Sequence, residues 1–283
     1  MDTVKIIADS TCDLSDELLE RYDISIIPLN IVLDMVSYCD KEEITVEELF
    51  KWAEENRKIP KTAAPSIEKA ISVIKPYVDA GRDIIFIGIS EDMSMTCNVI
   101  RLIREELDYS RIFVINSMSL STGIGLQILR AARLAQEGKT ADEIIAEIES
   151  TRSKVRASFV VDTMEYLAMG GRCSSVAALL ASTLKIKPMI EVAHGKMGVA
   201  KKYRGNIDKV IIKYVQDLSE KLKNAEPEIV FITHSPCNAD IVEKVREYLQ
   251  NMNYFTEIAE TNAGGTISCH CGPGTWGVLF YEK

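Results

Sequence analysis

The chain has 283 residues, 47% of them hydrophobic and 27% charged, with a formal net charge of −9. That balance supports a packed interior and excludes a disordered chain. The acidic excess argues against a nucleic-acid partner and against docking on an anionic membrane surface.

No apolar stretch approaches the roughly 20 residues that cross a bilayer, so no integral membrane segment is expected. Asp2 stands where a signal peptide carries basic charge, which points to a cytoplasmic protein. Seven cysteines, an odd number at irregular spacing, form no disulfide framework and suit a reducing compartment. At this length two domains are expected.

Along the first half, strand and helix patterns alternate. Val4 to Ile7 reads as a strand, after which Asp13 or Ser15 can cap a helix to about Tyr22. The apolar run Ile24 to Leu33 contains Pro28, which disfavours a central strand position there. Thr45 and Glu48 make a capping box for a helix to about Arg57, and Ser66 caps a helix that Gly81 ends. Ile84 to Ile89 is a strand, followed by a helix from about Thr96 to Leu107, a strand Ile112 to Ile115, and a long helix stopped by Gly138. A second capping box, Thr140 with Glu143, opens a helix to about Val155. Strands separated by helices of this length are βαβ units of a parallel sheet.

The second half has a different texture, and the boundary is placed near Arg156, dividing the chain into 1–156 and 157–283. Phe159 to Val161 is a short strand, and Gly170 and Gly171 precede an apolar helix from Ser175 to Leu184. Pro188 to Val192 and Met197 to Lys202 flank His194, Gly195 and Lys196 as a hairpin with its turn. Helices from Ile207 and Ala239 alternate with strands at Ile229 to Thr233 and Phe255 to Ala259, and a last strand runs from Trp276 to Tyr281. This half is expected to be a mixed α/β domain.

Three strand ends in the first half break directly into short polar side chains: Asp9, Ser10 and Thr11; Ser90, Ser94 and Thr96; and Asn116, Ser117, Ser119, Ser121 and Thr122. In a parallel sheet ligands bind in the crevice beyond the carboxyl ends of the strands, so this row is a candidate site for an acceptor of hydrogen bonds. Thr62 lies in an extended loop before Pro65 and the Ser66 cap, where free amides and a hydroxyl suit an anion. Ser94 can cap the following helix or bind a ligand, and its hydroxyl can do both. As a nucleophile it lacks the G-x-S-x-G elbow.

The tail from Gly264 to Gly274 contains Cys269, His270 and Cys271. Read as extended chain, it turns the two thiols one way and the imidazole the other, so the three cannot chelate one ion and no metal is expected. His270 in a glycine-rich loop is placed to meet an anion or to donate a proton. Gly170 and Gly171 permit close backbone approach, and Arg172 offers a planar donor fork to a carboxylate or phosphate.

On these pieces the chain resembles the DegV family, whose members bind long-chain fatty acids and serve as binding subunits of bacterial fatty acid kinase. The matching segments, in order, are Asp9 to Leu14, Thr62 to Ser66, Ser90 to Thr96, Val161 to Leu167 with Gly170 to Arg172, Lys187 with Pro188, and His270 to Gly274. The resemblance implies a two-domain α/β architecture of EDD type, an N-terminal parallel sheet flanked by helices and a C-terminal mixed α/β domain, with the lipid between them. It implies Thr62 and Ser94 as ligands of the fatty acid carboxylate, and His270 and Arg172 beside the carboxylate and the phosphate-transfer site. Ser10, Ser90 and Ser117 are then supporting residues. Ala63, Met95 and Asn116 depart from the family pattern, where a serine, a glycine and an aspartate are usual. No cofactor is expected beyond a bound fatty acid such as palmitate. The chain carries no Walker A or kinase glycine-rich loop, so a carrier with catalysis in a separate kinase partner is expected rather than an enzyme. A serine hydrolase using Ser94 or Ser10 with His270 as base, and a binder of small anions or sugar phosphates, are the competing readings.

Overall fold

The computed structural model describes residues 4–180 and 186–283. Four parallel strands form the first sheet in the order β2 (Ser25–Ile27), β1 (Val4–Asp9), β6 (Asp83–Gly88) and β7 (Ile112–Asn116). β2 stops before Pro28 and lies at the sheet edge, where a residue without an N–H does no harm. The remainder of that apolar run, β3 (Asn30–Leu33), joins β4 (Val36–Cys39) and β5 (Lys61–Ala63) in a separate antiparallel sheet, ordered β4-β3-β5.

Helices cover both faces of the parallel sheet. On one side α3 (Ile67–Asp79) and α4 (Thr96–Glu106) bury Ala70, Ile74, Cys97, Ile100 and Ile103 against Ile7, Ile84, Phe86 and Ile112. On the other side lie α5 (Thr122–Gln136) and α6 (Ala141–Thr151), whose inner side chains share one core with both sheets. α5 is buried almost all round because it is a layer between two sheets rather than a surface helix. The predicted capping boxes open α2 (Val46–Asn56) at Thr45 and α6 at Thr140. α6 ends at Thr151 rather than near Val155, because a short 3₁₀ turn intervenes and Val155 already belongs to the next strand.

The second sheet has six strands in the order β10 (Lys196–Arg204), β9 (Ile186–Ala193), β8 (Val155–Val160), β13 (Trp276–Glu282), β11 (Ala225–His234) and β12 (Glu257–Asn262). It is mixed: β11 and β12 run parallel and the other pairs are antiparallel. The β9–β10 hairpin turns on His194 and Gly195, both at positive φ, as a two-residue turn of matching twist requires. Its outer face is covered by α9 (Ile207–Asp217) and α11 (Ala239–Asn251), which bury Val210, Ile211, Tyr214, Val245 and Leu249 around Trp276 and Phe280. The remaining helices are α1 (Asp16–Arg21), α7 (Glu165–Gly170), α8 (Ser174–Leu180), α10 (Ser219–Lys223) and α12 (Gly265–Cys271). The distal end of the helix predicted over 175–184 falls outside the described residues.

The tail is not extended: Gly265–Cys271 is helical. Three backbone N–H groups at its start are taken by two aspartates more than 200 positions away, so no local signal in the tail announces a helix. Gly264 N–H donates to Asp13 Oδ1 at 2.8 Å, Gly265 N–H to Asp40 Oδ1 at 2.9 Å and Thr266 N–H to Asp40 Oδ2 at 3.1 Å. In a helix Cys269, His270 and Cys271 do not alternate between two faces, so extended-chain geometry does not govern them. Among the described residues, no group of three or more His, Cys, Asp or Glu side chains is placed to hold a metal ion.

Candidate functional site

Beyond the carboxyl end of β6 lies a cavity of about 140 Å³. Its wall is assembled from seven places in the chain: Leu29; Thr62, Ala63 and Ala64; Ile89 with Met93, Ser94 and Met95; Leu120; Arg172; Met197; and the α12 residues Thr266, Ile267, His270 and Cys271. A crevice at strand carboxyl ends is where an open parallel sheet places its ligands.

Each polar group reaches the cavity for a local reason. Thr62 sits in β5 opposite Ile31, with Lys61 and Ala63 exposed and Thr62 turned to the other face by the strand's alternation. The residue is thus strand, not loop, and Ser66 just beyond caps α3 by accepting from Lys69 N–H. Ser94 does not cap α4 directly, since Met95 occupies that position. The Ser94 hydroxyl instead accepts from Thr96 N–H at 3.3 Å and pairs with the Thr96 hydroxyl at 2.8 Å. One donor or acceptor position on Ser94 remains for a ligand.

His270 projects from α12 to Thr62, with Nε2 and Oγ1 2.8 Å apart. Burial, together with the nearby Arg172 guanidinium, pushes the imidazole down to about 4, so it is neutral at pH 7. Nδ1 is buried with no partner among the described residues, and an N–H there would have no acceptor. The proton is therefore assigned to Nε2, which donates to Thr62 Oγ1 and leaves the Thr62 hydroxyl to donate outward. Gly170 makes room for the ring: a Cβ at that position would stand 2.3 Å from His270 Nδ1. Arg172 follows two residues later, its Nε donating to Met93 O at 3.2 Å and Nη1 to Gly170 O at 2.7 Å. It thereby ties the Gly-Gly-Arg segment to the serine loop at the cavity mouth.

Ser10, Ser90 and Ser117 do not line the cavity. Each is buried with its hydroxyl engaged. Ser10 donates to Asp40 at 2.9 Å and accepts from Leu29 N–H, Ser90 donates to Gly195 O at 2.7 Å, and Ser117 accepts from Ser119 N–H at 3.1 Å. Neither Ser10 nor Ser94 hydrogen-bonds His270, so no nucleophile–base pair forms. Asn116 does the acceptor work of an aspartate, taking Met118 N–H at 2.9 Å. Met95 is 61% exposed at the rim. Leu29, Met197 and Thr266 were not anticipated as wall residues, because only the tertiary fold brings them there.

The wall combines hydroxyls, an imidazole and a guanidinium with aliphatic and thioether side chains. Such a surface suits an amphiphile with an acceptor head group. A family model described as an uncharacterised protein of the DegV family matches residues 3–283. A DegV domain-containing protein of Clostridium perfringens is 35% identical over the full length of both chains. The chain belongs to the DegV family. Among solved structures, a fatty-acid-binding DegV family protein from Thermus thermophilus superposes with a TM-score of 0.89 at 27% identity, covering 99% of this chain and 100% of that one. A stearic acid-binding protein from Eubacterium ventriosum gives 0.84 at 26% identity, covering 99% and 98%. Both share the two-sheet α/β architecture described above.

Proposed function

We propose that the protein binds a long-chain fatty acid, such as palmitate, and presents its carboxylate to a separate fatty acid kinase for acyl-phosphate formation. One observation carries this reading: Thr62, Ser94, His270 and Arg172, which come from four distant segments, share a single cavity whose remaining wall is mostly apolar. The solved relatives described as fatty-acid-binding and stearic acid-binding support the choice of ligand.

In this reading the Thr62 and Ser94 hydroxyls donate to the carboxylate. An unpaired carboxylate costs several kcal/mol to bury, and these donors with Arg172 nearby offset that cost. Each methylene of the tail contributes about 0.8 kcal/mol on burial before ordering costs. A cavity of about 140 Å³ is comparable to one of about 150 Å³ that holds a benzene. It takes the head group and first carbons, and a longer tail displaces Met93 and Met197, whose unbranched thioethers repack readily. Arg172, exposed at the mouth, is the cation a transferred phosphoryl group meets first. Ser10, Ser90 and Ser117 act only in support, and in this reading the kinase supplies the phosphoryl-transfer machinery.

Mass spectrometry of an organic extract of the purified protein, followed by palmitate titration, tests the proposal. Recovery or uptake of a C14 to C18 acid is expected, and failure of both sinks it. The double variant Thr62→Ala/Ser94→Ala should stay folded and lose binding; unaltered affinity removes those two residues from the role.

A further inference from the structure

Helix α12 carries four cavity-lining residues, yet no side chain of its own caps its amino end. Its first free N–H groups are satisfied entirely from the other half of the molecule. Asp13 takes Gly264, and its second oxygen accepts from the Ser121 hydroxyl at 2.6 Å. Asp40 takes Gly265 and Thr266 on separate oxygens, and its Oδ2 also accepts from the Ser10 hydroxyl. Both aspartates are about 1% exposed. The backbone is shaped to admit them: a Cβ on Gly264 would stand 3.0 Å from Asp13 Oδ1, and one on Gly265 2.8 Å from Asp40 Oδ1. Carboxylates at a helix amino end are favoured by the helix dipole as well as by the hydrogen bonds.

The consequence reaches His270. α12 has only seven residues, so displacing its first turn rotates or shifts the last one, and His270 is held to Thr62 by one hydrogen bond. We propose that Asp13 and Asp40 are positioning residues: by capping α12 they aim His270 at Thr62 and so orient the Thr62 hydroxyl into the cavity. The ligand part of this inference rests on the fatty-acid reading above; the geometric part does not. Asp40 is the more demanding of the two, because its two oxygens serve two backbone donors. An asparagine there would turn an amide NH₂ on one of those N–H groups.

The test compares Asp40→Asn, Asp13→Asn and, as a control of similar destabilisation, Val245→Ala on α11, which is remote from α12. Nitrogen and proton NMR of the His270 ring reports aim without any ligand, palmitate titration reports binding, and urea unfolding reports the fold. Asp40→Asn is expected to shift the His270 ring signals and weaken palmitate about tenfold, the scale of losing a hydrogen bond to a charged acceptor. Asp13→Asn, which keeps an acceptor for Gly264, should shift the same signals less, and Val245→Ala should leave both unmoved. Wild-type signals in Asp40→Asn overturn the inference. Should that variant fail to fold, unchanged ring signals in Asp13→Asn overturn it equally. A wild-type protein that takes up no palmitate defeats the fatty-acid reading, and the ring signals alone then decide the positioning role.

Discussion

Two sets of small polar side chains lie at the cavity and along the seam between the parallel and the six-stranded sheets, and the protein uses them in opposite ways. At the cavity, Thr62 and Ser94 keep hydrogen-bonding capacity for a ligand. Along the seam between the two sheets, equivalent groups are spent on the protein itself. Ser90 bonds Gly195, Ser121 bonds Asp13, and the buried hydroxyls of Thr122, Thr233 and Thr261 form a chain with spacings of 2.7 and 3.0 Å. A hydroxyl at a strand end is thus a ligand group only where the fold has left it unspent. The hydroxyl chemistry is the same in the two regions; what differs is the company each keeps across the molecule.

The largest test of that contrast uses pH, because His270 at the cavity and Asp13 at the seam act on stability in opposite directions. His270, on the cavity side, is pushed down to about 4 by burial and by Arg172. The unfolded chain therefore binds a proton that the folded one refuses, and stability is lost as pH falls from about 6.5 towards 4, by about 3 kcal/mol in full. Asp13, on the seam, is pushed up to about 7 by burial, against the pull of Lys41 and its donors Ser121 and Gly264. Here the folded state keeps a proton that the unfolded one releases, so stability is lost as pH rises from about 4 to 7, by about 4 kcal/mol in full. Burial raises Asp9 as well, adding to the Asp13 slope. In the wild type the His270 slope opposes those of Asp13 and Asp9. Relative to wild type, Asp13→Asn should lose stability on acidification, and His270→Gln should lose it on going from pH 4 to 7. Urea unfolding across that range, read as variant minus wild type, checks both; parallel curves for all three proteins would break the comparison.

Next in size is the seam's hydroxyl chain. Thr233→Val removes the middle member and leaves Thr122 and Thr261 without their partner in a buried place, a loss of about 1 to 3 kcal/mol. Palmitate affinity should not change, since none of the three lines the cavity. A drop in affinity matched to the drop in stability would mean that seam and cavity are not separable.

What the sequence made legible follows the same division between local and distant causes. Both capping boxes, the Ser66 cap, three of the four parallel strands and the β9–β10 turn depend on neighbours within a few residues, and each stands where its pattern placed it. The residues gathered around the cavity were legible through motifs spaced along the whole chain. What escaped was set by contacts over long separations: the helical tail capped by Asp13 and Asp40, the three-stranded sheet that turns Thr62 inward, and the α5 layer shared by two sheets. Gly170 reads as backbone freedom, yet it does not stand at positive φ, and its purpose is space for the His270 ring.

The smallest effects make the finest comparison, since Ser90 and Ser94 share one loop. Ser90 is fully buried and its hydroxyl bridges to Gly195 O while accepting from Asp92 N–H at 3.3 Å. Ser90→Ala strands the Gly195 carbonyl at the hairpin turn and should cost about 1 kcal/mol of stability with palmitate affinity retained. Ser94 is partly exposed, and its bonds are confined to Thr96, two residues away. Ser94→Ala should hold within about 0.5 kcal/mol of wild-type stability and weaken palmitate about tenfold, the worth of one hydrogen bond to a charged carboxylate. Unfolding curves and titrations on the two single variants suffice. If either serine moved both quantities together, the distinction between spent and unspent hydroxyls would fail at the place where the two are most alike.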